Sequence, residues 1–484
     1  MNRTLPLVVV AGLSLSACIW PPADQPKLAA LTAQQAGVSS TTSPTAADHW
    51  WRAYGDPQFN TLIERTLAGN PSLATAMSRL QAATAAAQAA DAARYPQTSF
   101  DAQEVRQRFS GNDIVPPPFG RHVYWRGGAA DNLSWDLDFW GRQAALVAQA
   151  RGRARADDLD LATARQILTS TVAQAYTALD HAYAAADIAR RTMAQRQNIL
   201  DITGHLVTGG ISTQVELREA RGALAQARVD LEQAEDQRAL ATHQLAMLAG
   251  LGADAYAGIT RPRLAATTIL PLPQALPADL LVRRPDILAA RWRIDAADSG
   301  RKAAKAAFYP DISLTAFAGY SAIGFDTLFR YGSFDYGLGP VIHLPIFDAG
   351  RLKAQYRGAT ADLDTAVSQY NETVLRAVQE TADALTNVGS LDRQRIDQKA
   401  ALDDAQAAYA LAEQRYRAGL TGYLTVLTAE TAMLAAERGL IDIDAATTAE
   451  RVHLLVAVGG SFSPPRDLPP LATSRVASSS ETQP

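Results

Sequence analysis

The chain has 484 residues, with 45 basic and 49 acidic side chains and a formal net charge of −4. That balance, without any block of like charge, excludes a nucleic-acid-binding role, and a single cysteine, Cys18, excludes an internal disulfide. The length alone suggests about three domains, but the chain nearly repeats itself at an offset of about 210 residues, which argues for two equivalent halves woven into one body.

Arg3 precedes an apolar stretch from Leu5 that closes as Leu15-Ser16-Ala17-Cys18. This stretch is too short to cross a bilayer and has the layout of a secretory signal. Its ending resembles the bacterial lipoprotein signal. That resemblance implies removal of residues 1–17, a diacylglycerol on Cys18 and an N-acyl chain on the new terminus, with no other cofactor. Ile19, where an aspartate would imply inner-membrane retention, implies the outer membrane. The alternative is an ordinary signal peptide with an incidental cysteine. Residues 18–47 then form a lipidated linker. No later segment reaches the roughly eighteen uninterrupted apolar residues of a transmembrane helix, so any further membrane span must be β.

Proline placement organises the rest. Asn70-Pro71-Ser72-Leu73 opens an alanine-rich amphipathic run that ends at Tyr95-Pro96. Arg284-Pro285-Asp286-Ile287 opens its counterpart, which ends at Tyr309-Pro310, and the Pro-to-Pro spacing is 25 residues in both. These runs predict short helices over 72–93 and 286–307. No proline occurs between Pro118 and Pro262 or between Pro345 and Pro464, and helix formers crowd both intervals. They predict long helices over 143–206 and 351–417. Turns at Gly209-Gly210 and Gly419-Leu420-Thr421-Gly422 lead into return helices over 213–249 and 423–458. At 1.5 Å per residue each long helix would reach roughly 95–100 Å, far beyond a globular domain.

Strand patterns lie between the short and long helices. Val123, Trp125, Gly127, Ala129, Leu133, Trp135, Leu137 and Phe139 share one parity, opposite Arg126, Asn132, Ser134, Asp136 and Asp138. Phe334, Tyr336, Leu338, Ile342, Leu344 and Ile346 repeat the device opposite Ser333, Asp335 and His343. Residues 98–110 and 311–320 supply antiparallel partners, the first with poor alternation, across loops at 111–121 and 321–332. In hydrocarbon a spanning sheet must close on itself, and four strands cannot. Three copies would supply twelve strands and two copies eight. The alternative is a small soluble sheet that caps a helical bundle.

Trp50-Trp51-Arg52-Ala53-Tyr54-Gly55-Asp56-Pro57, Leu281-Val282-Arg283-Arg284-Pro285-Asp286-Ile287, Phe308-Tyr309-Pro310, Pro345-Ile346-Phe347-Asp348-Ala349-Gly350-Arg351 and Arg415-Tyr416-Arg417-Ala418-Gly419 resemble the signatures of the outer-membrane factors, the TolC and NodT type of efflux channel. The similarity runs from about residue 48 to 462, as two repeats over 48–265 and 266–462, followed by a disordered tail over 463–484. The resemblance implies a mainly α fold with a β-barrel part. In that fold a homotrimer forms a 12-stranded barrel in the outer membrane, continued by a 12-helix periplasmic α-barrel. It implies docking on a periplasmic adaptor and an inner-membrane transporter, foremost of the RND type, with MFS or aromatic-acid exporters as alternatives. The tip turns (Gly209, Gly210, Gly419, Leu420, Thr421, Gly422) would receive the adaptor. A latch in the family joins a tyrosine to an acidic residue, at positions matching Tyr416 and Glu216. Its arginine partner is replaced by Thr421, and Thr425 and Thr428 stand where many members carry an aspartate ring. Electrostatic selectivity at the tip would then fall to Glu216, Arg218, Arg415 or Arg417, whose plain alternative is a solvated helix face.

Catalysis finds no support. Ser299-Gly300-Arg301-Lys302 lacks the companion motifs of penicillin-binding enzymes. Asp136 and Asp138 fit a strand's polar face, Asp442 and Asp444 a helix, and seven scattered histidines have no ligand spacing. The resemblance implies a passive duct for drugs and toxic small molecules. Protein, metal-ion or aromatic-acid export and a non-spanning periplasmic scaffold are the alternatives, and five isolated methionines give a copper or silver route no support.

Overall fold

The computed structural model describes residues 21–38, 49–112, 118, 120–264 and 280–463. The leader, Cys18, linker residues 39–47, Pro116 and Pro117, and the tail beyond 463 lie outside the described residues.

The main elements are α1 (Pro57–Gly69), α2 (Pro71–Ala92), β1 (Gln97–Arg108), β2 (Val123–Asp136), α3 (Arg142–Thr208), α4 (Gln214–Leu248), α5 (Pro285–Ala306), β3 (Asp311–Ile323), β4 (Phe334–His343), α6 (Arg351–Arg417) and α7 (Tyr423–Ala457). The unit α2-β1-β2-α3-α4 thus returns as α5-β3-β4-α6-α7. Helices α3 and α6 have 67 residues each and the return helices 35 each, so the long pair extends roughly 100 Å.

Each long helix is entered by the same device. Gly141 and Gly350 take left-handed φ values of 72° and 88°, where a side chain is disfavoured. An aspartate just upstream then satisfies free amides of the first turn. Asp138 accepts from the amides of Gln143 and Ala144 at 3.0 and 2.8 Å, and Asp348 from Gly350 and Leu352 at 3.0 and 2.8 Å. The strands predicted to run to 139 and 346 therefore stop at Asp136 and His343. The Phe139 amide turns back onto the Leu137 carbonyl, Pro345 has no amide to offer a ladder, and both aspartates are committed to helix caps.

The short helices stack end to end on the return helices. The Asn70 side chain caps α2 at Ser72 and donates to the Leu248 carbonyl at the end of α4, at 2.9 and 3.0 Å. In the second repeat Arg284, buried, bonds Asp286, Glu380 and the Ala457 carbonyl that ends α7. Gly250 and Gly459, both at positive φ, let the return helices end against the backbone of Gly69 and Arg283. Helix α3 packs on α4, α7, α2 and α5, and α6 on α7 and α5. The result is one layer four helices wide, in the order α4/α2, α3, α7/α5, α6.

The sheet is antiparallel, in the order β1-β2-β3-β4, with β1 and β4 as its edges. Its register places Trp135, Leu314 and Pro340 side by side, then Leu133, Ala316 and Leu338, then Ala129, Tyr320 and Phe334. The other face carries Ser99, Asn132 and Phe317, then Gln97, Ser134 and Thr315. One face is thus apolar and the other largely polar, as the parity predicted. Asp131, Glu104, Arg106 and Arg108 interrupt the apolar face.

Two further cores brace the helix layer. Trp50, Trp51, Tyr54, Phe59 and Ile63 pack with Tyr176, Leu179 and Leu245 on one face of α3 and α4. Burial would raise the Asp56 carboxyl, but the Tyr176 hydroxyl at 2.6 Å and the Arg263 and Gln58 amides outweigh it and hold the pKa below the usual value. An N-terminal strap runs along α6. Lys27 and Leu28 amides bond Asp364, Leu31 bonds Asn371, and Ala33, Ala36 and Val38 pack against the α5/α6 core.

Candidate functional site: the helix-hairpin tip

Both hairpins turn with the same helix-ending motif. Gly210 and Gly419 hold φ of 73° and 69°. Ile211 and Leu420 amides return to the Leu206 and Arg415 carbonyls at 2.8 and 2.9 Å, the six-to-one bond of a glycine-terminated helix. Gly209 is ordinary right-handed backbone, so of the predicted glycine pair only Gly210 is conformationally required.

The two return helices start differently. Thr213 and Glu216 cap α4 reciprocally, the Thr213 hydroxyl accepting the Glu216 amide at 3.3 Å while the carboxylate accepts the Thr213 amide at 3.2 Å. Helix α7 begins at Gly422 with no side-chain cap of its own. The Glu216 carboxylate also faces the start of α7, beside Gly422 and the Tyr423 amide, and so lies at the N-termini of both return helices. The Ser212 hydroxyl, first, and the amides of Thr213 and Tyr423 hold the Glu216 carboxyl below the usual range, against a contrary push from burial.

The predicted partners Tyr416 and Glu216 meet through an intermediary. The Tyr416 hydroxyl, buried, bonds Thr203 Oγ1 at 2.9 Å and lies beside Ser212, which favours its ionised form against the push of burial. Ser212 in turn donates to Glu216. The direct latch is thus a relay, Thr203–Tyr416–Ser212–Glu216–Tyr423 amide, that joins α3, α6, α4 and α7. Burial pushes the Tyr416 hydroxyl pKa upward, so it remains a proton donor.

A second tie went unread in the sequence. Arg196 on α3 meets Glu430 on α7 at 3.1 Å, with side chains 11% and 2% exposed. Burial raises the Glu430 carboxyl and the Arg196 charge opposes it. Tyr409, Tyr416, Tyr423, Val426 and Met433 enclose the pair in the tip core. Thr213-x-x-Glu216 was legible as a capping box. Nothing local marked Arg196 and Glu430, which lie 234 positions apart.

The remaining predicted residues are peripheral. Arg417 pairs with Glu413 on its own helix at 2.5 Å. Arg415, Arg218, Thr425 and Thr428 are exposed; the Thr428 hydroxyl returns to the Leu424 carbonyl and Thr425 accepts from Thr421. Ile211, Val215, Leu420 and Leu424 stand 65–70% exposed around the turns.

A profile described as Outer membrane efflux protein matches residues 62–251 and 276–460. The chain belongs to the outer membrane efflux protein family. It is 31% identical over 425 residues, 85% of this chain and 86% of the relative, to the multidrug resistance outer membrane protein MdtP of Shigella flexneri. It is 37% identical over 319 residues to the fusaric acid resistance protein FusA of Burkholderia cepacia, a match spanning 65% of this chain and 60% of that relative. The outer membrane protein VceC of Vibrio cholerae superposes with a TM-score of 0.81 at 33% identity, covering 86% of this chain and all of that one. The fold is that of the TolC-type channels, and this efflux family member is a channel component of the outer membrane, not an enzyme.

Proposed function

We propose that three copies assemble into a passive duct in which twelve strands close a barrel in the outer membrane and twelve helices continue it across the periplasm. The observation that carries this reading is the four-stranded sheet with two open edges, one apolar face and one polar face. Such a sheet satisfies its edge amides in lipid only by pooling strands with other copies. The module around Trp50 and α1 covers one face of the helix layer. A tube rolled with that face outward keeps an open bore.

The turns around Gly210 and Gly419 dock a periplasmic adaptor, their exposed Ile211, Val215, Leu420 and Leu424 supplying the apolar contact. The relay through Tyr416, Ser212 and Glu216 holds the tip closed until the partners engage. An RND-type inner-membrane transporter supplies the energy. Cys18 carries the lipid anchor; the strap, which begins beside Arg357 near the sheet end of α6, supports an anchor at the membrane. The cargo is small molecules. Identity to a fusaric acid resistance protein favours organic acids among them as a second reading.

The test is reconstitution of the full-length protein in planar bilayers. A stable aqueous conductance that rises when the relay is broken is expected; absence of conductance from inserted protein would count against the duct.

A further inference from the structure

The lipid-facing surface carries an arginine pair at its outer end. Register places Arg106 opposite Trp125 and Arg108 opposite Val123, on the same face as Leu133 and Trp135. The Arg106 guanidinium lies over the Trp125 ring at 5.9 Å, and Arg108 Nε donates to the Arg121 carbonyl at 3.5 Å. Both side chains are exposed, and neither forms an ion pair among the described residues.

Depth fixes what they meet. The helices leave from the other end of the sheet, so the hairpin loops face outward. Trp135 and Trp125 are ten residues apart along β2. At about 3.3 Å per residue and a tilt of about 45°, that is about 23 Å, close to the roughly 25 Å apolar band of an outer-membrane barrel. Trp125 therefore marks the outer interface, with Arg106 at its level and Arg108 one pleat beyond. The loop before β4 folds over the same end, Leu328 covering Gly127 and Phe329 meeting Tyr320 at 5.8 Å. Glu104 sits one pleat deeper than Arg106 and Asp131 lies near the middle of the band.

We infer that Arg106 and Arg108, flanked by Trp125, bind the phosphate-bearing headgroup of an outer-leaflet lipid, a function that rests on the membrane-spanning reading above. Guanidinium groups match phosphate oxygens in a forked geometry. Exposed cations at headgroup depth, beside an aromatic that anchors at the interface, select for an anionic headgroup over a neutral one.

The test uses the full-length channel in detergent, titrated with bis-phosphorylated lipid A, the same lipid dephosphorylated, and inorganic phosphate, with bound lipid counted by native mass spectrometry. The wild type should prefer the phosphorylated lipid. Arg106→Ala/Arg108→Ala should lose roughly thirtyfold in affinity, from about 1 kcal/mol per cationic contact, whereas Arg106→Lys/Arg108→Lys should keep most of it. Glu104→Gln should bind about fivefold more tightly by the same measure. Equal binding of both lipids, an unchanged Arg106→Ala/Arg108→Ala variant, or an unchanged Glu104→Gln overturns the inference. Equal occupancy by inorganic phosphate overturns the assignment to a lipid. If the protein inserts into liposomes as a trimer yet shows no preference, the inference alone fails. If it does not insert, the duct reading fails and takes the inference with it.

Discussion

At the residue scale, two polar ties join four helices at the tip, and they differ in kind. The Tyr416 relay runs through neutral hydroxyls to one carboxylate, and a hydrogen bond between neutral groups contributes only about 0.5–1.5 kcal/mol net, so breaking it should cost stability little and closure much. Tyr416→Phe or Glu216→Ala is expected to leave the fold intact and raise entry of large solutes, measured as lowered vancomycin resistance in producing cells. Unchanged susceptibility in both would remove the relay from the gate. Arg196 and Glu430 form a buried pair. Arg196→Met strands a carboxylate in the tip core and should destabilise the protein by about 3–5 kcal/mol, while pairing it with Glu430→Leu should recover most of that loss. Denaturant midpoints of the three variants would decide it.

The relay also carries a pH dependence. The Glu216 carboxyl titrates below its ordinary value of 4.5. Its stabilising contribution is therefore complete above that value and is lost as pH falls through the folded pKa. Acidification into that range should open the tip and raise bilayer conductance, and Glu216→Gln should flatten the response. A wild-type conductance that does not change with acid would contradict the assignment.

At the element scale, the helices were the legible part, because prolines and left-handed glycines set their limits. The long helix predicted over 351–417 spans Arg351–Arg417, and the others agree within two residues. The strand ends were less legible, since alternation continued through Leu137 and Phe139 after the ladder had given way to helix capping. Helix α1 and the strap along α6 were not drawn at all. Their support comes from side chains far along the chain, Tyr176 for Asp56 and Asp364 for Lys27, and no local periodicity records such a contact. The tip was partly legible: Tyr416 and Glu216 were placed, while Ser212 between them and Thr203 behind them depended on the turn geometry. The junction of return and short helices yields its own prediction. A Cβ at Gly459, φ 98°, would stand 2.8 Å from the Arg283 carbonyl oxygen. Gly459→Ala should therefore cost about 1–3 kcal/mol, seen as a lowered melting temperature. An unaltered melting temperature would mean that the junction yields without strain.

At the scale of the whole molecule, duplication supplies two hairpins of strands and two of helices, and one copy leaves both sets open. The sheet has two unpaired edges and an apolar face, and the helix layer ends in α4 on one side and α6 on the other. Exposed apolar side chains such as Leu240 on α4 and Ile396 on α6 are what an edge awaiting a neighbour presents. Closure by threefold repetition would satisfy the strand edges, cover the helix edges and leave the polar sheet face lining the bore. The most direct measurement is the native mass of the protein extracted from outer membranes, by light scattering with the detergent contribution subtracted. Three chains per particle is the predicted result; a single chain would leave four strands unable to span the membrane and would contradict the duct.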